Sequence, residues 1–254
     1  METYLTVQSM VYDGFLVEGW QMTDADRCCL ISILSRIKPD CAIEVGTSSG
    51  GSLQVIARYS RQVYSIDIDT TYREQLAHKY PNVEFLIGNS AALLPTLLKR
   101  LDNQGQAVDF ILIDGNHQYN AVRADVNAVL QYRPRRQLYI LMHDTFNPPC
   151  RQGILDARWQ DNPCVHDVDL DFVHGTISDH PEFKRHMWDG LGLAIMMPTE
   201  RTHQLTIHRS QELLFRKVRL HSAHLHPVWV LWRKLKVARS LLNKRIHERQ
   251  RSTG

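Results

Sequence analysis

A buried-strand pattern that runs straight into glycines, Ala42-Ile43-Glu44-Val45-Gly46-Thr47-Ser48-Ser49-Gly50-Gly51, constrains this chain more than any other segment. A second apolar run, Val63-Tyr64-Ser65-Ile66-Asp67, follows and ends in an acid about twenty residues downstream of the turn. Strand, glycine-rich turn, helix and acid-tipped strand are the layout of a nucleotide-cradling βαβ unit. Only glycine lets the backbone approach a ligand closely at such a turn. A carboxylate offers two acceptor oxygens and no donor, so Asp67 is placed to accept hydrogen bonds from two ribose hydroxyls. The expectation is an adenosine-bearing cofactor.

Short apolar runs at 42–45, 63–66, 83–87, 110–113 and 138–142 recur with helical lengths between them, at 52–59, 71–79, 91–101 and 122–132. Runs such as Phe110-Ile111-Leu112-Ile113 are apolar on both faces, as expected of parallel strands covered by helices on both sides. This predicts a doubly wound α/β sheet. Thr23, with Asp26 three positions on, predicts the capped start of a helix through Ile37 that covers the cofactor strand. Beyond the fifth strand, Pro148-Pro149 is read as a break, 153–160 as a further helix, and the acid- and histidine-rich stretch to about Asp189 as irregular. Residues 191–197 and 203–208, joined by Pro198-Thr199-Glu200-Arg201, read as an antiparallel hairpin closing the sheet. The expected division is a domain over 1–210 and a tail over 211–254.

With 254 residues and 43% hydrophobic content, the chain can bury a sizeable core. It has no apolar run of about 18 residues and no basic-then-apolar leader, which argues against a membrane span or a secretion signal. The cysteines Cys28, Cys29, Cys41, Cys150 and Cys164 are odd in number and lack CxxC spacing, so a cytoplasmic protein without disulfides or a zinc cage is expected. The net charge of +3 hides an asymmetry. Residues 201–254 hold 13 Lys and Arg against 2 Asp and Glu, an excess of +11, which leaves −8 on the rest. Such a split points to a partner for the tail.

The Glu-Val-Gly-Thr-Ser-Ser-Gly-Gly turn lacks GxGxxG spacing and resembles the first motif of class I S-adenosylmethionine-dependent methyltransferases. Leu86-Ile87-Gly88-Asn89-Ser90, Leu112-Ile113-Asp114-Gly115-Asn116-His117 and Leu141-Met142-His143-Asp144-Thr145 extend the resemblance. Together the four segments look like the small-molecule O-methyltransferase branch that groups with cephalosporin-hydroxylase-like and macrolide or sugar O-methyltransferases. The resemblance covers roughly residues 19–208. Two departures stand out: Asn116 replaces the acid of an Asp-Gly-Asp-His pattern, and Arg133-Pro134-Arg135-Arg136 replaces a Gly-Gly before the fifth strand. The implied fold is a Rossmann-like sheet of five parallel strands plus the hairpin.

Under that resemblance Glu44 and the turn holding Gly46, Thr47, Ser48 and Gly50 would take the amino-acid end of S-adenosylmethionine. Asp67 would take its ribose, and Asn89 with Ser90 would lie beside the adenine. Asp114, His143 and Asp144 fall at the carboxyl ends of neighbouring strands, where open α/β sheets place ligands. A hydroxyl is a poor nucleophile at neutral pH, and a divalent cation would lower its pKa. Magnesium on Asp114 and Asp144 is expected, and a contribution from His143 would favour manganese or a similar ion. The alternative is that Asp114 meets the cofactor or the substrate with no ion. His117 has two readings: proton acceptor from the substrate hydroxyl, or a loop histidine bonding the backbone. The acids of 167–174 are read as facing water, and His221, His224 and His226 as a polar linker rather than a metal site.

In the tail, Val228, Leu231, Trp232, Leu235, Ala238 and Leu242 share one helical face, with Lys and Arg around the rest. Such a basic amphipathic helix either packs on protein, its own domain or a second subunit, or lies on an anionic membrane surface. Nucleic acid is a weaker partner class, because the body is acidic and no RNA-binding motif occurs. The leading functional expectation is O-methylation of a small molecule such as a sugar or glycosylated metabolite. Beside it stand a catalytically silent cofactor-binding adaptor and a nicotinamide oxidoreductase.

Overall fold

The computed structural model describes residues 20–71, 73–181 and 183–225. The amphipathic segment expected at 228–242 lies outside the described residues. In chain order the elements are α1 (Asp24–Ile37), β1 (Cys41–Val45), α2 (Gly51–Tyr59), β2 (Gln62–Asp67), α3 (Arg73–Lys79), β3 (Val83–Ile87) and α4 (Ser90–Asn103). They continue with β4 (Phe110–Ile113), α5 (Tyr119–Val129), β5 (Leu138–His143), α6 (Pro148–Leu155), β6 (Val165–Val173), β7 (Thr176–Ile177), β8 (Met187–Trp188), β9 (Leu191–Met196), β10 (Ile207–His208) and α7 (Glu212–His221).

Eight strands form one sheet in the order β10-β6-β9-β5-β4-β1-β2-β3, and β7 pairs with β8 separately. The five strands β1 to β5 are mutually parallel. Alternation along them splits the interior into two cores. Ile43, Val45, Ile111 and Ile113 pack against Leu94, Leu98 and Leu101 of α4 and Val122 and Val126 of α5. Ala42, Phe110 and Leu112 pack on the other face against Leu30 and Leu34 of α1 and Leu53 and Ile56 of α2. Thr23 and Asp26 form the expected capping box at the start of α1.

The antiparallel closure differs from the hairpin expected over 191–208. Strand β9 pairs antiparallel with β5 and with β6, while β10 is only Ile207–His208 and pairs parallel with β6. The partner of β9 is therefore the stretch expected to be irregular. Register shifts between Val165 and Asp167 and between Asp169 and Val173 break its alternation, and its acids masked Val165, Val168 and Leu170, which are fully buried. Asp171 does not face water: it is buried in a two-pronged ion pair with Arg151. Pro148 and Pro149 start α6 rather than breaking the chain, because the first helical turn needs no intrahelical N–H donors. Helix α7 lies past the boundary expected at 210, yet it docks on the domain through Arg151 to Glu212 at 3.2 Å and Phe215 against Phe146. No helix among the described residues is long and apolar enough to cross a membrane.

Gly46 follows β1 at a φ of +91°, and a Cβ there would overlap the carbonyl oxygen of Asp114 at the end of β4. Both the backbone conformation and the space require glycine. Gly46→Ala is expected to destabilise the fold by more than about 1 kcal/mol. Denaturant unfolding checks this, and an unchanged midpoint would refute the close packing.

Candidate active site

A cavity of about 1420 Å³ opens at the carboxyl ends of β1, β2, β4 and β5. Gly46, Thr47, Ser48, Asp67, Asn89, Ser90, Asp114, His117, His143 and Asp144 all line it. Sheet topology brings them together: the parallel strands end at one edge, and each residue sits at or just past a strand terminus.

On one side of the cavity, Asp67 Oδ2 accepts the backbone N–H groups of Thr47 and Ser48 at 2.8 and 2.9 Å, and Oδ1 accepts that of Asp69 at 2.8 Å. The acid thus fixes the glycine-rich turn: both lone pairs of Oδ2 are taken, and Oδ1 keeps capacity for one further donor. Ser90 donates to the buried Asp125 at 2.6 Å. Burial raises the Asp125 pKa, against the pull of that hydrogen bond. Asn89 caps α4 with its backbone alone and makes no side-chain cap hydrogen bond.

Two expected contacts do not reach the cavity. Glu44 is fully buried beneath the turn, with Oε1 accepting from Ser52 and Oε2 from Ser65 at 2.6 and 2.7 Å. Burial pushes its pKa up to about 7, while the two hydroxyls pull the other way. It braces the turn from below. Ser65 also bonds the Thr47 hydroxyl, which extends the brace into the turn. Gly50 sits at the head of α2 at a φ of +86°, facing the Leu76 side chain rather than the cavity.

On the opposite side, four carboxylates surround two imidazoles. His143 Nδ1 lies 3.0 Å from Asp114 Oδ1 and 3.8 Å from Asp144 Oδ2, while its Nε2 lies 3.7 Å from Asp26 Oδ2. His117 Nδ1 bonds Asp144 Oδ2 at 2.7 Å, and Asp144 Oδ1 accepts the backbone N–H of Asp189 at 2.6 Å. Burial alone would lower the pKa of His143, but Asp114 and Asp144 outweigh it and hold the ring well above its ordinary value. His117 is also raised, chiefly by its hydrogen bond to Asp144. Asp144 is lowered: burial opposes this, but His143, His117 and the Asp189 N–H prevail. Of the two readings of His117, the structure has its ring on a carboxylate, with the ring edge-on to Trp188.

Asp114, His143 and Asp144 each offer a ligand atom within 4.8 Å of the others, so the expected metal trio converges. Two carboxylates and one imidazole from neighbouring strand ends fit a divalent cation, provided that the cation displaces the proton shared by His143 and Asp114.

Sequence reading missed Asp26, Trp188 and Asp189. Asp26 showed itself only as a helix cap, yet it is fully buried and reaches His143. Trp188 and Asp189 sit in β8 and just after it, within the stretch that looked irregular. A capping residue on an otherwise amphipathic helix carries no sequence mark of a second role.

Residues 43–145 match a family model described as a methyltransferase domain. Among solved structures, the chain is similar to the O-methyltransferase from Bacillus cereus in complex with SAH. The identity is 19% over 71% of this chain and 84% of the other, with a TM-score of 0.51. It is likewise similar to TomG from Streptomyces achromogenes, an O-methyltransferase involved in tomaymycin synthesis and solved with SAM. Here the identity is 18% over 69% of this chain and 81% of that one, with a TM-score of 0.51. No curated protein sequence matches significantly. These matches show a Rossmann-like methyltransferase fold, with the family-model match confined to residues 43–145.

The coupling of His117 to Asp144 makes a direct prediction. In metal-free protein, the His117 ring is expected to titrate above its ordinary value of 6.5 and to fall back in Asp144→Asn. Histidine NMR titration reads this, and an unchanged value would remove Asp144 as the cause.

Proposed function

We propose that the methyltransferase domain of this chain moves the methyl group of S-adenosylmethionine to a hydroxyl of a small molecule. The observation that carries the reading is one cavity in which the braced Gly46 to Ser48 turn and Asp67 face Asp114, His117, His143 and Asp144. The turn and Asp67 would hold the donor's amino-acid and ribose parts, with Asn89 and Ser90 at the adenine. Four acids against two imidazoles leave this end of the cavity net negative even with both rings protonated, which favours a cationic sulfonium.

Methyl transfer from a sulfonium is an in-line displacement, so the protein's task is to orient the acceptor oxygen and remove its proton. With Nδ1–H donated to Asp144, the Nε2 atom of neutral His117 carries a lone pair able to take that proton. A divalent cation bound by Asp114, Asp144 and His143 would lower the hydroxyl's pKa. Magnesium suits the carboxylates, and the imidazole tilts the choice toward manganese. Around the acceptor, Trp188, Phe183 and His180 add aromatic surface, and Thr176 and Ser178 add hydroxyls. Flat apolar faces beside hydrogen-bonding groups suit a sugar or a glycosylated metabolite.

Calorimetry is expected to detect S-adenosylmethionine binding, and its absence would end this reading. His117→Ala and Asp144→Ala are expected to lower turnover about a hundredfold or more with donor affinity largely kept. A silent adaptor would show no turnover to lose. Because the hydrogen bond to Asp144 raises the His117 pKa, turnover should climb as pH rises through that raised pKa and flatten above it. A flat profile from pH 6 to 9 would exclude His117 as the base. Chelation is expected to reduce turnover and added Mg or Mn to restore it, and indifference to chelator would remove the metal alone.

A further inference from the structure

A second cavity, of about 770 Å³, lies between α6, the segment 204–207 and α7, and shares no lining residue with the first. Its volume falls in the range of small-molecule sites. Its wall carries four guanidinium groups, Arg151, Arg209, Arg216 and Arg219, gathered from two helices and the turn before α7.

The charges do not cancel. Arg151 is neutralised from beneath by Asp171, with contacts of 2.8 and 3.2 Å. Glu212 is then shared by the outer prong of Arg151 at 3.2 Å, Arg216 at 2.8 Å and Arg209 at 4.0 Å. Burial works to raise the Glu212 pKa, but Arg216 and Arg151 more than offset it, so the carboxylate is firmly ionised. Asp156, the other acid on the wall, already accepts from the Tyr119 hydroxyl and the Gln152 amide. Among the described residues Arg219 has no carboxylate partner, and its Nε is buried without a hydrogen-bond partner. A buried guanidinium N–H left unpaired is costly, and Arg219 adds positive charge to this wall that no acid among the described residues offsets.

We infer that this second cavity binds a phosphate group, held by Arg219 with Arg216 and Arg209, with the attached organic body against Phe215 and Leu205. Guanidinium forks match the oxygens of phosphate. The Phe215 ring already stacks under Arg151 at 4.6 Å from its centroid, which gives the polar wall an apolar floor. Glu212 serves as an internal stand-in that a phosphate would displace from Arg216 and Arg209. A soluble phosphate ester and a lipid headgroup share this chemistry. The headgroup source gains support from Leu213 and Leu220 of α7, which are 68% and 61% exposed beside these arginines.

The test uses the full chain with two probes: pyrophosphate by calorimetry, and phosphatidylcholine vesicles with and without phosphatidylglycerol by co-sedimentation. Saturable binding to pyrophosphate alone identifies a soluble ester, and binding to the anionic vesicles alone identifies a headgroup. Either supports the site only if Arg219→Ala weakens it about tenfold and Glu212→Gln strengthens it. The opposite signs of the two variants guard against general unfolding, which would weaken both. Binding to neither probe, or binding that both variants leave unchanged, overturns the assignment. Donor binding in the first cavity serves as the fold control, so failure here leaves the methyl-transfer reading untouched.

Discussion

The contact between Gly46 and the backbone of Asp114 is the constraint on which the rest depends. It holds the turn after β1 against the end of β4, with the Asp114 N–H donating to the Val45 carbonyl at 2.8 Å and the Gly46 N–H to Ile66 at 2.9 Å. Three neighbouring strand ends are locked in register at one point. A donor seated on the turn must therefore lie next to the acids of the later strands. A side chain at Gly46 would force the turn and the acids apart, however well either half folded alone.

The second requirement is to keep so many acids buried. Asp26, Asp114, Asp144 and Asp189 converge within a few side-chain lengths, and isolated charges there would cost several kcal/mol each. His143 sits among Asp26, Asp114 and Asp144, and His117 bonds Asp144 from the cavity side. Two protonated rings cannot neutralise four carboxylates, and Asp189 accordingly has a raised pKa, driven first by burial. The surplus of negative charge lies at the end of the cavity formed by Asp114, His117, His143 and Asp144.

Much of this was legible in the chain. The five parallel strands carry apolar residues on both faces and end in glycine or acid, so periodicity and punctuation agree, and all five were located to within a residue or two. The Thr23 and Asp26 cap was equally plain. Strand β6 was hidden because its bulges destroy the period of two, and because Asp171 is neutralised by an arginine twenty residues away. Sequence has no local mark for such a partner. The alternation at 203–208 misled for the converse reason: Leu205 is buried against the core without the backbone joining a hairpin. Glu44 was placed correctly on its strand, yet a residue inside a parallel strand points into a helix layer, here toward Ser52, rather than out of the strand's end.

Asp144 adds a step that neither cavity explains alone. Its φ of +59° puts a non-glycine residue in the left-handed region, at a cost of about 1–3 kcal/mol, so its surroundings must impose it. From one side, the Thr145 and Phe146 N–H groups donate to the carbonyls of Gly190 and Asp189, and the Asp189 N–H donates to the Asp144 carboxylate. From the other, Arg151 reaches the Thr145 carbonyl at 3.4 Å while it is gripped by Asp171 and Glu212. The strained residue is therefore held from one side by the 189–190 backbone and from the other through Thr145 by Arg151, whose guanidinium lines the second cavity. An occupant that draws Glu212 away from Arg151 would loosen one jaw of that clamp. Asp144 lines the first cavity and Arg151 the second, so the segment 144–151 runs from one cavity to the other, and the Arg151 contact with the Thr145 carbonyl links its two ends.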